Sequence, residues 1–268
     1  MASFQSGAGS PLDLRGPTPH PVSLPQFESL DAAARYHSAR CGGDFFDAVA
    51  IDARLAFLLM DIAGRRPETH AIAVDVQKVF RARAKELFQH SDANESEAIA
   101  TLARDINLSL FEAARGARFA PAFLGCYNLT LNILTYHCAG HLLALFHDGE
   151  RTRALEPGGM PLGLFTHSTY EPAVLAFDQY AKLLLVTKGV IEDGEGPTGY
   201  GDERIALLLK DSTINSASKI CEAVVRVADD FEKHRKSRVY ELLHPRNQKH
   251  CDDLTAVAIV RRGEMLRS

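Results

Sequence analysis

Residues 42–64 read GGDFFDAVAIDARLAFLLMDIAG. Two short apolar runs, at 45–51 and 55–60, flank Asp52-Ala53-Arg54, the pattern of two adjacent antiparallel strands joined by a turn. Each outer end carries an acid next to glycine: Asp44 follows Gly42-Gly43, and Asp61 precedes Ile62-Ala63-Gly64. A carboxylate at a strand end can be held at a sheet rim with backbone oxygens close by, which is how a hard divalent cation gathers its ligands. Two more stretches share the form. Cys251-Asp252-Asp253-Leu254-Thr255 opens an apolar run, and Thr187-Lys188-Gly189 closes one without its acid. Acids converging from such distant segments would repel one another unless a cation sat among them. Taken singly, each is most simply a turn or cap residue; their joint order carries the argument.

The segments around this hairpin set the fold class. From 68 to about 90, Ile72, Val76, Val79, Phe80, Leu87 and Phe88 recur at helical spacing behind Pro67, which suits a first turn. Residues 91–94 supply turn and N-cap chemistry for a second helix carrying Ile99, Leu102, Ile106 and Leu110. Strand signals follow at 123–128, 133–138 and 142–146, read as a meander, and KLLLVT at 182–187 reads as a strand buried on both faces. A helix with Ile205 and Leu209 begins after Gly201, and a long one carries Ile220, Val224, Val227 and Phe231. A strand at 254–260 closes the series. Strands, two helices, many strands, helix, strand: this order predicts an α+β protein in which two mainly antiparallel sheets pack together with helices outside, an α-β-β-α sandwich.

Composition narrows the function classes. With 268 residues, 46% hydrophobic and 24% charged, one large domain with a real core is expected. Thirty Lys and Arg against 34 Asp and Glu give a net charge of −4, which provides no overall basic field for nucleic acid or an anionic membrane. No apolar run reaches the roughly 18 residues of a membrane span. The five cysteines are scattered without a C-x-x-C spacing, so reduced thiols and a cytoplasmic location are expected. Residues 1–30 hold Pro11, Pro17, Pro19, Pro21 and Pro25 among Ser and Gly, and read as a disordered or extended arm with a short helix around 26–34. The folded domain is expected over 31–264.

The blocks GGDFFD, DIAG, FLGCYNLTLNILTYHCAGHLLALFHDGE, EPGGMPLGLF, LLLVTKGVIE with YGDERI, and CDDLTAVAIVRR, in this order, resemble the bacterial PPM-type, metal-dependent Ser/Thr protein phosphatases of the SpoIIE and RsbU-like group. The resemblance covers about 38 to 262. It implies an α-β-β-α sandwich with two Mg²⁺ or Mn²⁺ ions at one end of the sheets, activating a water that attacks a phosphoserine or phosphothreonine. Carried over residue by residue, Asp61 would bridge the ions with help from the Ile62 carbonyl. Asp44 would serve one ion, directly or through water, and Asp252 the other. Asp47 and Asp253 would be supporting or merely structural. The substrate implied is a phosphorylated regulatory protein such as an anti-sigma-factor antagonist. Relatives often form homodimers, although no stretch here marks an interface. The residue types agree with water as nucleophile, because no Ser-His-Asp set and no C-x5-R thiol cradle can be picked out. His137 and His141 flank an Ala-Gly turn and read as structural ahead of any general-acid role.

Two departures from the pattern bear on activity. Lys188 stands where the group carries a ligand aspartate, and an ammonium about 4 Å from a divalent ion costs roughly 8 kcal/mol at an effective dielectric near 20. One ion, or none, is therefore an alternative to two, and Lys188 could itself pair with Asp252 or Asp61. After Asp61 the usual Gly-x-Gly turn is replaced by Gly64-Arg65-Arg66-Pro67. Arg65 and Arg66 read first as exposed arginines before a helix and second as a bidentate grip on phosphate. A basic stretch from Lys233 to His250 reads as a solvated helix end and loop, with a dock for an acidic partner as the sharper reading. Two functional classes follow: a metal-dependent phosphatase, or a catalytically impaired relative that acts as a regulatory partner-binding domain because of Lys188.

Overall fold

The computed structural model describes residues 24–37, 43–64, 66–140, 142–187, 200–211, 213–235 and 253–263. Ten strands and four helices are described among them. They are β1 (Leu30–His37), β2 (Asp44–Ile51), β3 (Arg54–Asp61), α1 (Arg66–Phe88), α2 (Glu95–Ala113), β4 (Ala122–Asn128), β5 (Ile133–Ala139), β6 (Leu143–His147), β7 (Thr152–Ala154), β8 (Ala173–Ala176), β9 (Lys182–Val186), α3 (Tyr200–Lys210), α4 (Ala217–Arg235) and β10 (Leu254–Arg261). One sheet runs β1-β10-β9-β6-β7 and the other β2-β3-β4-β5-β8, with every pair antiparallel. This is the expected α-β-β-α sandwich.

Alternation along the strands sorts side chains into three apolar layers. Phe45, Ala56, Leu58 and Met60 face α1 and α2, where they meet Val76, Phe80, Ile99 and Leu102. The opposite parity, Phe46, Ala48, Phe57 and Leu59, faces the other sheet and packs with Leu183, Leu185, Val257 and Ile259. Leu184, Val186, Ala256 and Ala258 turn outward onto Ile205, Ile220 and Val224 of the second helix pair. The near-continuous apolar runs at β3 and β9 arise because both of their faces are covered.

Three expectations are corrected. In place of the short helix around 26–34, residues 26–29 are irregular and β1 begins at Leu30, pairing with β10 from Leu30 opposite Arg261 to His37 opposite Leu254. Leu30, Ala32 and Ala34 are buried between the sheets while Ala33 turns to the helix side, a period of two that the run of alanines conceals. Ahead of β1, Leu24 and Phe27 pack against the core between the sheets. The meander breaks after β5: β6 pairs with β7 and β9, so the chain changes sheets near Gly140, a residue with φ +83°. The β5 neighbour is β8, which, like β7, is short and largely exposed and carries little apolar signal. Finally, α3 starts at Tyr200, ahead of Gly201.

The hairpin end of the second sheet is braced by a buried ion pair. Arg54 Nε donates to Glu95 Oε1 at 2.8 Å, and its other nitrogens donate to the carbonyls of Phe88, His90 and Ser91 at the end of α1. Asn128 Nδ2 donates to the same Glu95 oxygen at 2.6 Å. Asn94 caps α2 by accepting from Glu97 N. Removing one partner of a buried pair strands the other charge, which costs about 3–5 kcal/mol. Glu95→Ala is accordingly expected to lower the stability of the whole domain by that order, read as a lower urea midpoint with an unchanged slope.

Candidate metal centre

Strand parity decides which acids meet. Asp44 shares the parity of Phe46 and Ala48, and Asp61 that of Leu59 and Phe57, so both side chains project into the space between the sheets at one end of the sandwich. They lie directly opposite one another in the β2–β3 register. Asp253 and Thr255 share the inward parity of Val257, and Thr187 shares that of Leu185. Asp47, three residues from Asp44, takes the opposite face. There it accepts from Arg81 of α1 through both oxygens, at 2.6 and 3.0 Å, and also from Ala48 N at 2.8 Å.

Asp44 is 3% exposed. Its Oδ2 accepts from Thr255 Oγ1 at 2.6 Å and Thr187 Oγ1 at 2.7 Å, both from the opposite sheet. Thr187 Oγ1 accepts in turn from Thr255 N at 2.8 Å, and Thr187 N donates to Thr255 O at 3.0 Å. Tyr36 of β1 donates its phenol proton to Asp253 Oδ2 at 2.7 Å. Burial, above all, pushes the Asp44 carboxyl well above the usual carboxylate range, and the Asp61 charge adds to this. The two hydroxyls pull the other way, and Asp253 again raises it. Like charges directly opposite across a ladder are unfavourable.

The backbone completes the oxygen-rich edge. Ile62 N donates to Gly43 O at 2.8 Å, and a Cβ added at Gly43 would lie 2.2 Å from Ile62 O and 3.1 Å from Asp61 Oδ1. Only glycine lets these two oxygens approach β2 so closely. Beyond Asp61, Asp61 N and Ala63 N donate to Pro121 O and Phe119 O, tying the turn to the chain that enters β4. Gly64 has φ +146°, and Arg118 closes the turn by donating to Ala63 O at 3.2 Å while pairing with Glu68.

Asp44, Asp61 and Ile62 are thus brought together, with Asp253 beside them. Asp252, Lys188, Arg65 and His141 lie outside the described residues, as does the side chain of Arg66. Among the described residues there is no group of three or more His, Cys, Asp and Glu arranged to hold a metal ion. Carboxylate and carbonyl oxygens are the donors a hard cation takes, and a buried carboxylate facing a second is relieved by one. The residues present therefore fit a divalent ion of the Mg²⁺ or Mn²⁺ kind. His137 is away from this edge. It is buried on the helix side of β5, with Nδ1 3.2 Å from Glu171 O and its ring edge-on to Tyr170, and burial lowers its pKa. Sequence reasoning missed Tyr36, Thr187, Thr255 and Arg118. Strand parity, counted from the apolar partners of β9 and β10, would have selected Thr187 and Thr255; Tyr36 lies on β1, whose period the alanines conceal.

Comparison with known proteins agrees with this fold. The sequence matches the family described as Stage II sporulation protein E (SpoIIE) over residues 51–262. The RsbU and RsbW domains of a Mycobacterium tuberculosis protein superpose with a TM-score of 0.68 at 23% identity, covering 91% of this chain and 64% of that one. The PP2C phosphatase domain of Bacillus subtilis SpoIIE with a fragment of its regulatory domain gives 0.65 at 15% identity, covering 88% and 64%. This chain therefore spans less than two thirds of either. RsbX in complex with magnesium gives 0.57 at 16% identity, covering 90% of this chain and 99% of that one.

An acid placed against its own folding leaves a thermodynamic signature. A folded-state pKa raised above the unfolded value means that Asp44 favours folding fully only below the ordinary carboxylate range, and this is lost as pH rises towards the raised value. In metal-free protein, Asp44→Asn is expected to keep both threonine contacts, flatten that part of the pH profile, and raise the melting temperature at neutral pH by about 2–4 °C, the equivalent of about 1 kcal/mol in a domain of this size. Thermal denaturation between pH 4 and 8 reads both effects.

Proposed function

Because the chain belongs to the SpoIIE family, we propose that it is a metal-dependent phosphoserine/phosphothreonine protein phosphatase acting on a phosphorylated regulatory protein, such as an anti-sigma-factor antagonist. The observation that carries the reading is the Asp44–Asp61 pair, opposed in register and directed between the sheets, with the Ile62 carbonyl at its edge. Asp44 and Asp61 would hold the ions, with Asp252 as the further ligand carried over from the family resemblance. The magnesium of the RsbX relative supports the same choice of cation.

Bound there, divalent cations supply a water that is nucleophilic at neutral pH and positive charge for the phosphoryl oxygens. The protein's own part is to hold and orient. The described cysteines offer no competing nucleophile: Cys126, Cys138 and Cys221 are buried, and burial raises their thiols, Cys138 to about 11, Cys221 to about 12 and Cys126 further. His137, buried on the helix side of β5 with its pKa lowered by burial, does not face the edge. A regulatory protein as substrate is supported by structural neighbours that include joined RsbU and RsbW domains and a structure described under the bacterial stressosome.

Phosphate release from a phosphorylated anti-sigma-factor antagonist, or from p-nitrophenyl phosphate, in the presence of Mn²⁺ tests the proposal. Turnover should vanish with chelator, and Asp61→Asn should lower kcat/KM by more than about 100-fold, since outer partners of metal ligands alone are worth 10- to 100-fold. Turnover that ignores both changes, or none at all with either substrate, would refute it.

A further inference from the structure

The Thr187–Asp44–Thr255 clasp does more than join two sheets. Thr187 Oγ1 accepts the Thr255 backbone N–H, so its single hydroxyl proton is directed at Asp44. Thr255 contributes a second hydroxyl proton to the same oxygen. Both threonines are fully buried, so water does not compete for these bonds. Asp44 Oδ2 is thereby saturated from the β9 and β10 side, while Oδ1 has no hydrogen-bond partner among the described residues. A carboxylate that could otherwise rotate is fixed with one oxygen spent and one on offer.

We propose that Thr187 and Thr255 are positioning residues for cation capture, spending Oδ2 of Asp44 so that Oδ1 is the one atom it presents to a divalent ion. The inference rests on the phosphatase reading of the site and adds to it how the ligand is aimed. Three features of the clasp carry it. Both donors converge on a single oxygen, where a purely structural link between sheets needs only one bond. The backbone N–H, hydroxyl and carboxylate form a chain of bonds that polarise one another in the same direction. The donors come from the sheet that does not contain Asp44, so the packing of β2 against β9 and β10 sets where the ligand atom lies. A fixed carboxylate loses less freedom on binding than a mobile one, and hydrogen bonds to a ligand from outside the metal shell are worth about 10- to 100-fold in affinity.

The test uses the full chain, MnCl₂ as the probe and titration calorimetry as the readout, with no phosphatase assay involved. Thr255→Val removes one donor while keeping shape, and leaves the Thr255 N–H to Thr187 bond in place. Thr255→Ser restores the donor. Thr187→Val and Thr187→Ser repeat the pair, although the first also strands the Thr255 N–H; if it does not fold, the Thr255 pair decides. Thr255→Val is expected to weaken Mn²⁺ binding by about 10- to 100-fold, with the serine variant within about twofold of wild type and both melting cooperatively without metal. Wild-type affinity in Thr255→Val, or equal weakening in the valine and serine variants, overturns the inference alone. Absence of Mn²⁺ binding by the unaltered protein overturns it together with the phosphatase reading.

Discussion

Carboxylates of like charge, held close together where two sheets meet, are the constraint on which the rest of the site depends. Asp44 and Asp61 face one another across β2–β3, Asp253 approaches from β10, and the burial that would favour apolar residues there works against the charge of Asp44. The fold tolerates this because it surrounds Asp44 with donors. Two threonine hydroxyls from the opposite sheet take one of its oxygens, and the hydroxyl of Tyr36 takes one of Asp253. Unfavourable placement of acids at the end of an otherwise apolar sandwich is the mark of a position kept for chemistry.

The sandwich makes such a centre possible by separating the tasks of neighbouring acids. Asp44 and Asp47 are three residues apart on one strand, so the pleat sends one between the sheets and the other to the helix layer. Asp47 there forms a bidentate pair with Arg81 and ties α1 to β2. At the opposite end of the same sheet, Arg54 and Glu95 join the β2–β3 turn to the α1–α2 connection. The hairpin is therefore anchored at its turn and along its helix face, and its open end is left to the acids.

Apolar segments long enough to show a period are legible in the sequence itself: the β2–β3 hairpin, α1, α2, α4, β9 and β10. The misreadings have physical causes. Residues 26–34 are rich in alanine, which suits a helix, and only pairing with β10 makes β1 a strand. β6 follows β5 closely in sequence yet joins the other sheet, a choice made by the partners waiting there, β7 and β9. β7 and β8 are too short and too exposed to carry a pattern.

For the site, the acids at strand ends near glycine pointed to Asp44 and Asp61, because residue type and nearby glycine are local properties, while the Ile62 carbonyl came with the family resemblance. The hydroxyls that hold them are not local: 143 residues separate Thr187 from Asp44, and 211 separate Thr255 from it. The sequence by itself determined which residues carry charge, and where the apolar strands β2, β3, β9 and β10 end and which parity their side chains take. Only the tertiary structure decided that the inward parities of β2, β3, β9 and β10 meet at the same end of the sandwich, because that depends on how two sheets stack, and stacking is settled by the apolar faces rather than by the acids.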